Sequence, residues 1–302
     1  MIKAIIRTLR PYQWTKNSLV FAALIFSLSF FQTSLLFRSV AAFFLFCAAS
    51  SAVYIMNDLK DLNEDRLHPL KKNRPLPSGK LPIGVAVAVM ILLAGIAITG
   101  SLALHRKFAV VLGLYFLLNI GYSFGLKKIV ILDVMMVSAG FLLRALAGAA
   151  VIDVEASRWL FLCTLMLALM LTAGKRYHEI SFLQAQAGNH RKSLGSYNQP
   201  LLEAMLIISG GASILTYGLY TISDETIAHI GSPNLIYSTL FVVFGVFRYL
   251  YLLYMKAEGG DPARLVISDI PFIVNGFLWL CSILFIIYYQ NSILRELINN
   301  LR

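Results

Sequence analysis

The sequence predicts an all-α integral membrane protein with about nine transmembrane helices. Three observations predict it. The chain is 58% hydrophobic and only 14% charged, where a soluble domain carries about 25% charged residues. Most of its 302 residues fall into apolar runs, each close to the about 17–25 residues that cross a bilayer as helix. None of these runs alternates polar and apolar residues as a membrane barrel strand does. Hydrocarbon leaves free backbone groups unsatisfied, so the spans are helices.

Residues 1–16 come first. Ile2, Ile5, Ile6 and Leu9 share one helical face, with Lys3, Arg7 and Arg10 around the other. That suits a short amphipathic helix lying on the membrane surface; a frayed basic terminus is the alternative. The segment is too charged for the apolar core of a signal peptide. The apolar spans then read as 17–36, 38–56, 82–104, 107–126, 129–151, 157–173, 201–222, 233–254 and 270–290, within one catalytic domain, 1–302. On the fourth, Tyr115, Asn119, Tyr122 and Ser123 make a polar stripe suited to packing and to lining a cavity. On the fifth, Asp133, Gly140, Arg144 and Gly148 lie near one face. The glycines allow close helix approach. Arg144 points into the bundle because lipid exposure is costly; there it reaches a substrate phosphate or pairs with a buried acid. Cys47, Cys163 and Cys281 lie inside apolar runs and share no short motif. They form no zinc or disulfide framework and read as inert core residues.

The net charge of +11 is unevenly placed. With the N-terminus inside, 18 lysines and arginines lie on the inner side and six on the outer. The positive-inside rule therefore puts the N-terminus and the two long polar loops, 57–81 and 174–200, in the cytosol and the C-terminus outside. These charges sit in short loops without a nucleic-acid-binding module, which excludes nucleic acid as a partner.

The first loop carries acids, then bases. Asp58, Asp61 and Asp65 are spaced by three and four, one face of a helix, with Asn57 beside them. Like charges at this spacing repel, and at the edge of a membrane the cost rises. A divalent cation offsets it, and magnesium commonly bridges one or two carboxylates to substrate phosphates. His68, Lys71, Lys72 and Arg74 follow, stiffened by Pro69, Pro75 and Pro77. Arginine suits bidentate phosphate contact and lysine acts as a point charge. A solvated loop whose charges pair with each other is the alternative. In the second loop Lys175 and Glu179 are four apart, Arg176 and Tyr177 adjoin, and Arg191 and Lys192 follow a turn at Gly188–Asn189. This segment can hold a further anionic group; a plain Lys175–Glu179 helix pair is the alternative.

Asn57, Asp58, Asp61 and Asp65, in the order N-D-x-x-D-x-x-x-D, resemble the first motif of the UbiA-type intramembrane prenyltransferases. The resemblance implies a helical bundle around a central, laterally open cavity, with magnesium-bound diphosphate at its cytosolic end. Typical members carry an Asp-x-x-x-Asp pair in the second motif, where this chain has Lys175 and Glu179. The stretches RPYQWTKN, DRLHPLKKNRP, GKRYHE and RKSLGSYN are similar to one branch, the decaprenyl-phosphate phosphoribosyltransferases. That similarity implies transfer of 5-phosphoribose from phosphoribosyl diphosphate (PRPP) to a polyprenyl phosphate in the plasma membrane, feeding cell-wall arabinan or a related glycolipid. It implies magnesium on Asp58, Asp61 and Asp65, with Asn57 assisting. Phosphate contacts fall to Lys72 and Arg74, with His68 and Lys71 as weaker candidates. Lys175 and Arg176, next to Tyr177, place the lipid phosphate or ribose 5-phosphate, and Glu179 takes ribose hydroxyls or metal. Lys16, Arg191, Lys192 and Arg144 are further candidates, and the outer surface can support a homo-oligomer. Prenyl transfer from an isoprenoid diphosphate to an aromatic acceptor is the competing enzyme reading; an acid-lined transporter predicts acids at mid-membrane, and here they cluster at its edge.

Overall fold

The computed structural model describes residues 1–67, 69, 71–184, 197–256 and 262–289, and among them there is no strand. Eight of their helices are long and apolar enough to cross a membrane: Thr33–Lys60, Ile83–Leu104, Arg106–Phe124, Leu132–Val151, Arg158–Ser181, Gln199–Ile222, Pro233–Met255 and Ile270–Tyr289. The chain divides into two compact units. Of the described residues, the first holds Met1–Leu24 and Gln32–Ala156, and the second holds Ile25–Phe31 and those from Ser157 onward.

In the first unit, α1 (Ile2–Leu9) is followed by a 3-10 helix, Pro11–Phe21. The sequence predicts a long helix over 17–36; instead the 3-10 helix leads into a short α2, Ala22–Phe26, ahead of α3, Thr33–Lys60. Two side-chain bonds accompany the tighter winding. The Thr15 hydroxyl donates to the Tyr12 carbonyl at 3.1 Å and the Ser18 hydroxyl to the Thr15 carbonyl at 2.7 Å. Both bonds reach back three residues, the period of a 3-10 turn. Leu28, in the stretch Ile25–Phe31 that belongs to the second unit, has a left-handed φ of 60°. The 3-10 segment runs antiparallel to α3. Arg10 meets Asp58, Trp14 Nε1 donates to Ser51 Oγ at 3.1 Å, Asn17 Nδ2 donates to Ser50 Oγ at 3.2 Å, and the Phe21 ring lies 5.5 Å from Phe43.

α3 is central to this unit. It buries Ser39, Ala42, Ala49, Ser50, Ser51 and Ala52, small side chains that let neighbouring backbones approach. α4 (Leu62–Leu67), α5 (Ile83–Leu104), α6 (Arg106–Phe124) and α7 (Leu132–Val151) follow. α5 exposes Ile91, Leu92, Ile96 and Leu102, an apolar face that water would not tolerate at this density. Gly148 of α7 lies under the 3-10 helix: a Cβ there would stand 2.0 Å from the Val20 carbonyl oxygen.

α1 does not present all its isoleucines to one side. Ile5 and Leu9 pack with Ile55, Leu76, Leu81 and Ala86, while Ile2 and Ile6 stay exposed. Leu76 and Leu81 anchor the polar loop to the end of α3. The junction after α1 is a left-handed Arg10 (φ 55°, ψ 59°), which costs a side-chain-bearing residue about 1–2 kcal/mol.

The second unit comprises α8 (Arg158–Gln184), α9 (Gln199–Ile222), α10 (Asp224–Ile230), a 3-10 turn entering α11 (Thr239–Met255), α12 (Pro262–Ser268) and α13 (Ile270–Leu284), which ends in a π turn to Tyr289. Met170, Leu206, Val246, Tyr249 and Leu252 form its core. α8 runs past the expected end at 173, so residues 174–184 are helix rather than loop. Long polar side chains sustain a helix beyond its apolar stretch. Asp269 caps α13 by accepting from the Phe272 amide at 2.9 Å and pairs with both Arg248 Nε and Nη2, at 3.1 and 2.8 Å. Of the three cysteines, Cys47 is buried, Cys163 half-buried and Cys281 exposed; the expectation of three core cysteines fails at Cys281, whose position on α13 faces outward.

Candidate active site

The acidic motif straddles the end of α3. Helical hydrogen bonding persists through it: the Asp61 amide donates to the Asn57 carbonyl at 2.9 Å and the Asp65 amide to the Asp61 carbonyl at 2.8 Å. Asp58 and Asp65, seven residues apart, therefore lie on one side and are both buried. The loop behind them folds back through turns that join Arg74 N to Lys71 O and Leu81 N to Pro75 O. With Leu76 and Leu81 pinned in the core, Arg74 faces the acids. Its Nη1 lies 3.0 Å from Asp58 Oδ1 and 2.8 Å from Asp65 Oδ2. Lys71 Nζ is 3.7 Å from the other Asp65 oxygen.

Asp61 departs from this pair and contacts Lys127 Nζ at 2.5 Å. Among the described residues, no three His, Cys, Asp or Glu side chains are placed to hold a metal ion together. Two carboxylates do converge, and on a cation: one guanidinium nitrogen lies within 3.0 Å of both. Magnesium takes oxygen ligands and is commonly held by one or two carboxylates, with substrate phosphates and water completing the shell. The donor pair Asp58–Asp65 fits such an ion.

Asn57 turns aside, its side-chain oxygen accepting from the Ser123 hydroxyl. Lys72 is exposed. Lys16 lies 5.9 Å from the centre of the Phe141 ring. His68, Arg191 and Lys192 lie outside the described residues.

Arg144 is buried, as its mid-helix position requires, but its partners are neutral. Nε donates to Asn17 Oδ1 at 2.7 Å, Nη1 to the Gly140 carbonyl at 2.6 Å and Nη2 to the Tyr115 hydroxyl at 3.0 Å. The Tyr115 ring stacks on it at 4.9 Å. The alternative of a buried acid partner is not realised among the described residues, and Arg144 sits instead within a cage of neutral groups. The polar stripe of α6 is part of that cage through Tyr115, and Asn119 and Ser123 bond back to their own helix.

In the second unit, Arg176 is buried and its Nη1 contacts Glu179 Oε2 at 2.6 Å. The alternative of a plain Lys175–Glu179 pair is not what the helix forms: the acid is reached by Arg176, three positions back. Lys175 is half-buried, and no described residue pairs with it. The Tyr177 ring packs edge-on to Tyr254 at 5.2 Å.

Two residues in this geometry were not singled out by sequence. Arg10 contacts Asp58 through Nη2 and lies over the Tyr54 ring at 5.2 Å. Burial works against its charge, but the charge and hydrogen bond of Asp58 outweigh that and leave its pKa raised. Lys127 is the other.

Residues 18–289 match the model of the UbiA prenyltransferase family. A decaprenyl-phosphate phosphoribosyltransferase of Corynebacterium glutamicum is 32% identical over 291 residues, covering 94% of this chain and 86% of the relative. One from Mycolicibacterium smegmatis is 34% identical over 229 residues, covering 74% and 72%. Among solved structures, a UbiA homolog from Archaeoglobus fulgidus bound to DMAPP and Mg2+ superposes with a TM-score of 0.67 at 18% identity, covering 95% of this chain and 99% of that one. That likeness is one of fold.

Proposed function

The chain belongs to the UbiA prenyltransferase family, and from that premise we propose that it is a polyprenyl-phosphate phosphoribosyltransferase acting on PRPP. The observation that carries the reading is the second polar segment. Where a prenyl-diphosphate enzyme needs acids for a second metal, this chain has the half-buried Lys175 and the buried Arg176, with Glu179 already neutralised by Arg176. Cations there suit an acceptor that itself carries a phosphate; two more carboxylates would repel it. The names and extent of the matched relatives support the same reaction.

Asp58 and Asp65 hold a magnesium ion, with Asp61 within one helical turn of each. Bound there, the ion supplies Lewis-acid stabilisation of the departing diphosphate. Arg74 and Lys71, with Lys72 and His68 as neighbours in sequence, take phosphate oxygens of the donor. Lys175 and Arg176 hold the phosphate of the polyprenyl acceptor, and Arg191 and Lys192, later in the sequence, are further candidates for it. Lys16 and Arg144 remain candidates for a phosphate contact deeper in the first unit.

An acceptor phosphate oxygen attacks the anomeric carbon of PRPP. A new C–O bond forms, the bond to diphosphate breaks, and its electron pair leaves with diphosphate, inverting the carbon. The attacking phosphate is already anionic, so no side chain need remove a proton. The residues act by positioning and by placing positive charge where negative charge develops. We place residues 1–302 in one catalytic domain of a multi-pass protein of the plasma membrane. Its N-terminus and both polar segments are cytosolic, where PRPP is available, and its C-terminus is outside. The 3-10 segment carries the chain from Arg10, beside Asp58, toward the other end of α3, which supports placing the N-terminus on the same side as the first polar segment. α1, with Ile2 and Ile6 exposed, lies on the cytosolic membrane surface.

The test is a purified-protein assay with labelled PRPP and polyprenyl phosphate, beside geranylgeranyl diphosphate with an aromatic acid. Lipid-soluble phosphoribose is the expected product. Prenyl transfer without phosphoribose transfer overturns the reading in favour of the prenyltransferase.

A further inference from the structure

Asp58 is contacted by two guanidinium groups at the same oxygen, Oδ1: Arg10 from the start of the 3-10 helix and Arg74 from the loop. Arg74 also binds Asp65, so its position follows from two acids. Arg10 touches one acid only, Asp58, which has to share the single charge of Arg74 with Asp65. Around the motif, Arg10, Lys71, Arg74 and Lys127 face three carboxylates, leaving a positive charge over. A divalent ion on Asp58 adds two more and repels both guanidiniums that share that oxygen, Arg10 as well as Arg74.

The backbone at Arg10 is fixed. The Leu9 carbonyl accepts from Ser51 Oγ at 3.0 Å, the Arg10 carbonyl accepts from the Gln13 amide at 2.8 Å, and the residue is held left-handed. Its side chain is held by the Tyr54 ring at 5.2 Å and by Asp58. A fixed backbone with a long side chain on one exchangeable anion allows the head to change partners while its base stays in place.

We propose that Arg10 is a partner-exchanging residue of the donor site. It neutralises Asp58 while no divalent ion is bound, and it takes a diphosphate oxygen when the metal-loaded donor binds. This rests on the reading that Asp58 and Asp65 receive a metal-bound diphosphate, whichever group that diphosphate carries. Planar guanidinium suits phosphate oxygens as well as carboxylate, so the exchange keeps Arg10 paired throughout.

The test uses the full chain in lipid nanodiscs, as wild type, Arg10→Gln and Arg10→Lys. Binding of Mn2+ alone, followed by its free electron-spin-resonance signal, is expected to tighten on the order of tenfold in Arg10→Gln, because a competing charge is gone. Binding of Mn2+ with inorganic diphosphate is expected to weaken on the order of tenfold in the same variant. Arg10→Lys keeps the charge but not the fork; its Mn2+ affinity should match wild type and its diphosphate affinity should fall between the other two. Shifts of opposite sign are the signature, since a merely structural role weakens both. Arg10→Gln binding Mn2+ no tighter than wild type, or diphosphate no more weakly, overturns the proposal. If Arg10→Gln does not fold, Arg10→Lys decides: diphosphate binding equal to wild type overturns it. Because the probe is inorganic diphosphate, failure of wild type to use PRPP sinks the phosphoribosyl reading and still leaves Arg10 decided.

Discussion

Arg74→Met removes the nitrogen on which Asp58 and Asp65 converge. Both acid side chains are almost fully buried, at 4% and 6% exposure, while Arg74 is 33% exposed. Breaking a fully buried ion pair costs about 3–5 kcal/mol, and an exposed pair about 0–1 kcal/mol. Arg74 lies between these limits. Arg10 stays on Asp58, and Lys71 stays 3.7 Å from Asp65. The loss should therefore be about 1–2 kcal/mol in the absence of metal. For chains approaching this size that corresponds to roughly 2–8 °C in Tm. Melting is followed in detergent with EDTA and then with millimolar Mg2+. A divalent ion between the two released carboxylates replaces the missing charge, so Mg2+ should narrow the gap between variant and wild type. An unchanged Tm in EDTA refutes the ion-pair account. A gap that Mg2+ leaves as wide as before refutes the assignment of Asp58 and Asp65 as metal ligands.

Three further outcomes follow from the same geometry. Lys175→Glu restores an acid to the second motif; kcat/KM for phosphoribose transfer should fall at least about tenfold, the loss of one charge-assisted contact, with little change in Tm because no described residue pairs with Lys175. Gly148→Ala places a Cβ 2.0 Å from the Val20 carbonyl, which backbone must move to relieve, so thermal melting should show a loss of about 1–3 kcal/mol. Asp269 has its pKa lowered, chiefly by the Arg248 hydrogen bond; a depressed folded pKa means stability present above the unfolded value of about 3.9 and lost as pH falls through the folded one. Asp269→Asn should therefore melt below wild type at pH 7, with the difference closing as pH drops below about 4.

What the sequence disclosed and what it concealed have physical reasons. Eight apolar runs were legible because span length and hydropathy alone define a helix in hydrocarbon. The run at 17–36 was not, because a 3-10 helix is as apolar as an α-helix and hydropathy does not separate the two. The nearness of Asp58, Asp65 and Arg74 was legible because they are close in sequence, at the end of α3, on α4 and in the loop that folds back on them. Arg10 and Lys127 were not, being 48 and 66 residues from their acids, and basic residues at membrane edges read first as topology signals. Asp61 shares the spacing of its neighbours, but α3 ends at Lys60, and its side chain goes to Lys127 instead. At Arg144 the sequence marked a buried charge correctly and left its partner open; the neutral cage of Asn17, Gly140 and Tyr115 comes from three separate elements.

The central claim, that Asp58 presents a metal-bound sugar diphosphate to a phosphate-headed lipid, is tested most directly by transfer of ribose-labelled PRPP into polyprenyl phosphate by wild type and Asp58→Asn in matched nanodiscs. Wild type should label the lipid with Mg2+ and not with EDTA, and folded Asp58→Asn should not label it under either condition. Full transfer by Asp58→Asn, or by wild type in EDTA, contradicts the account.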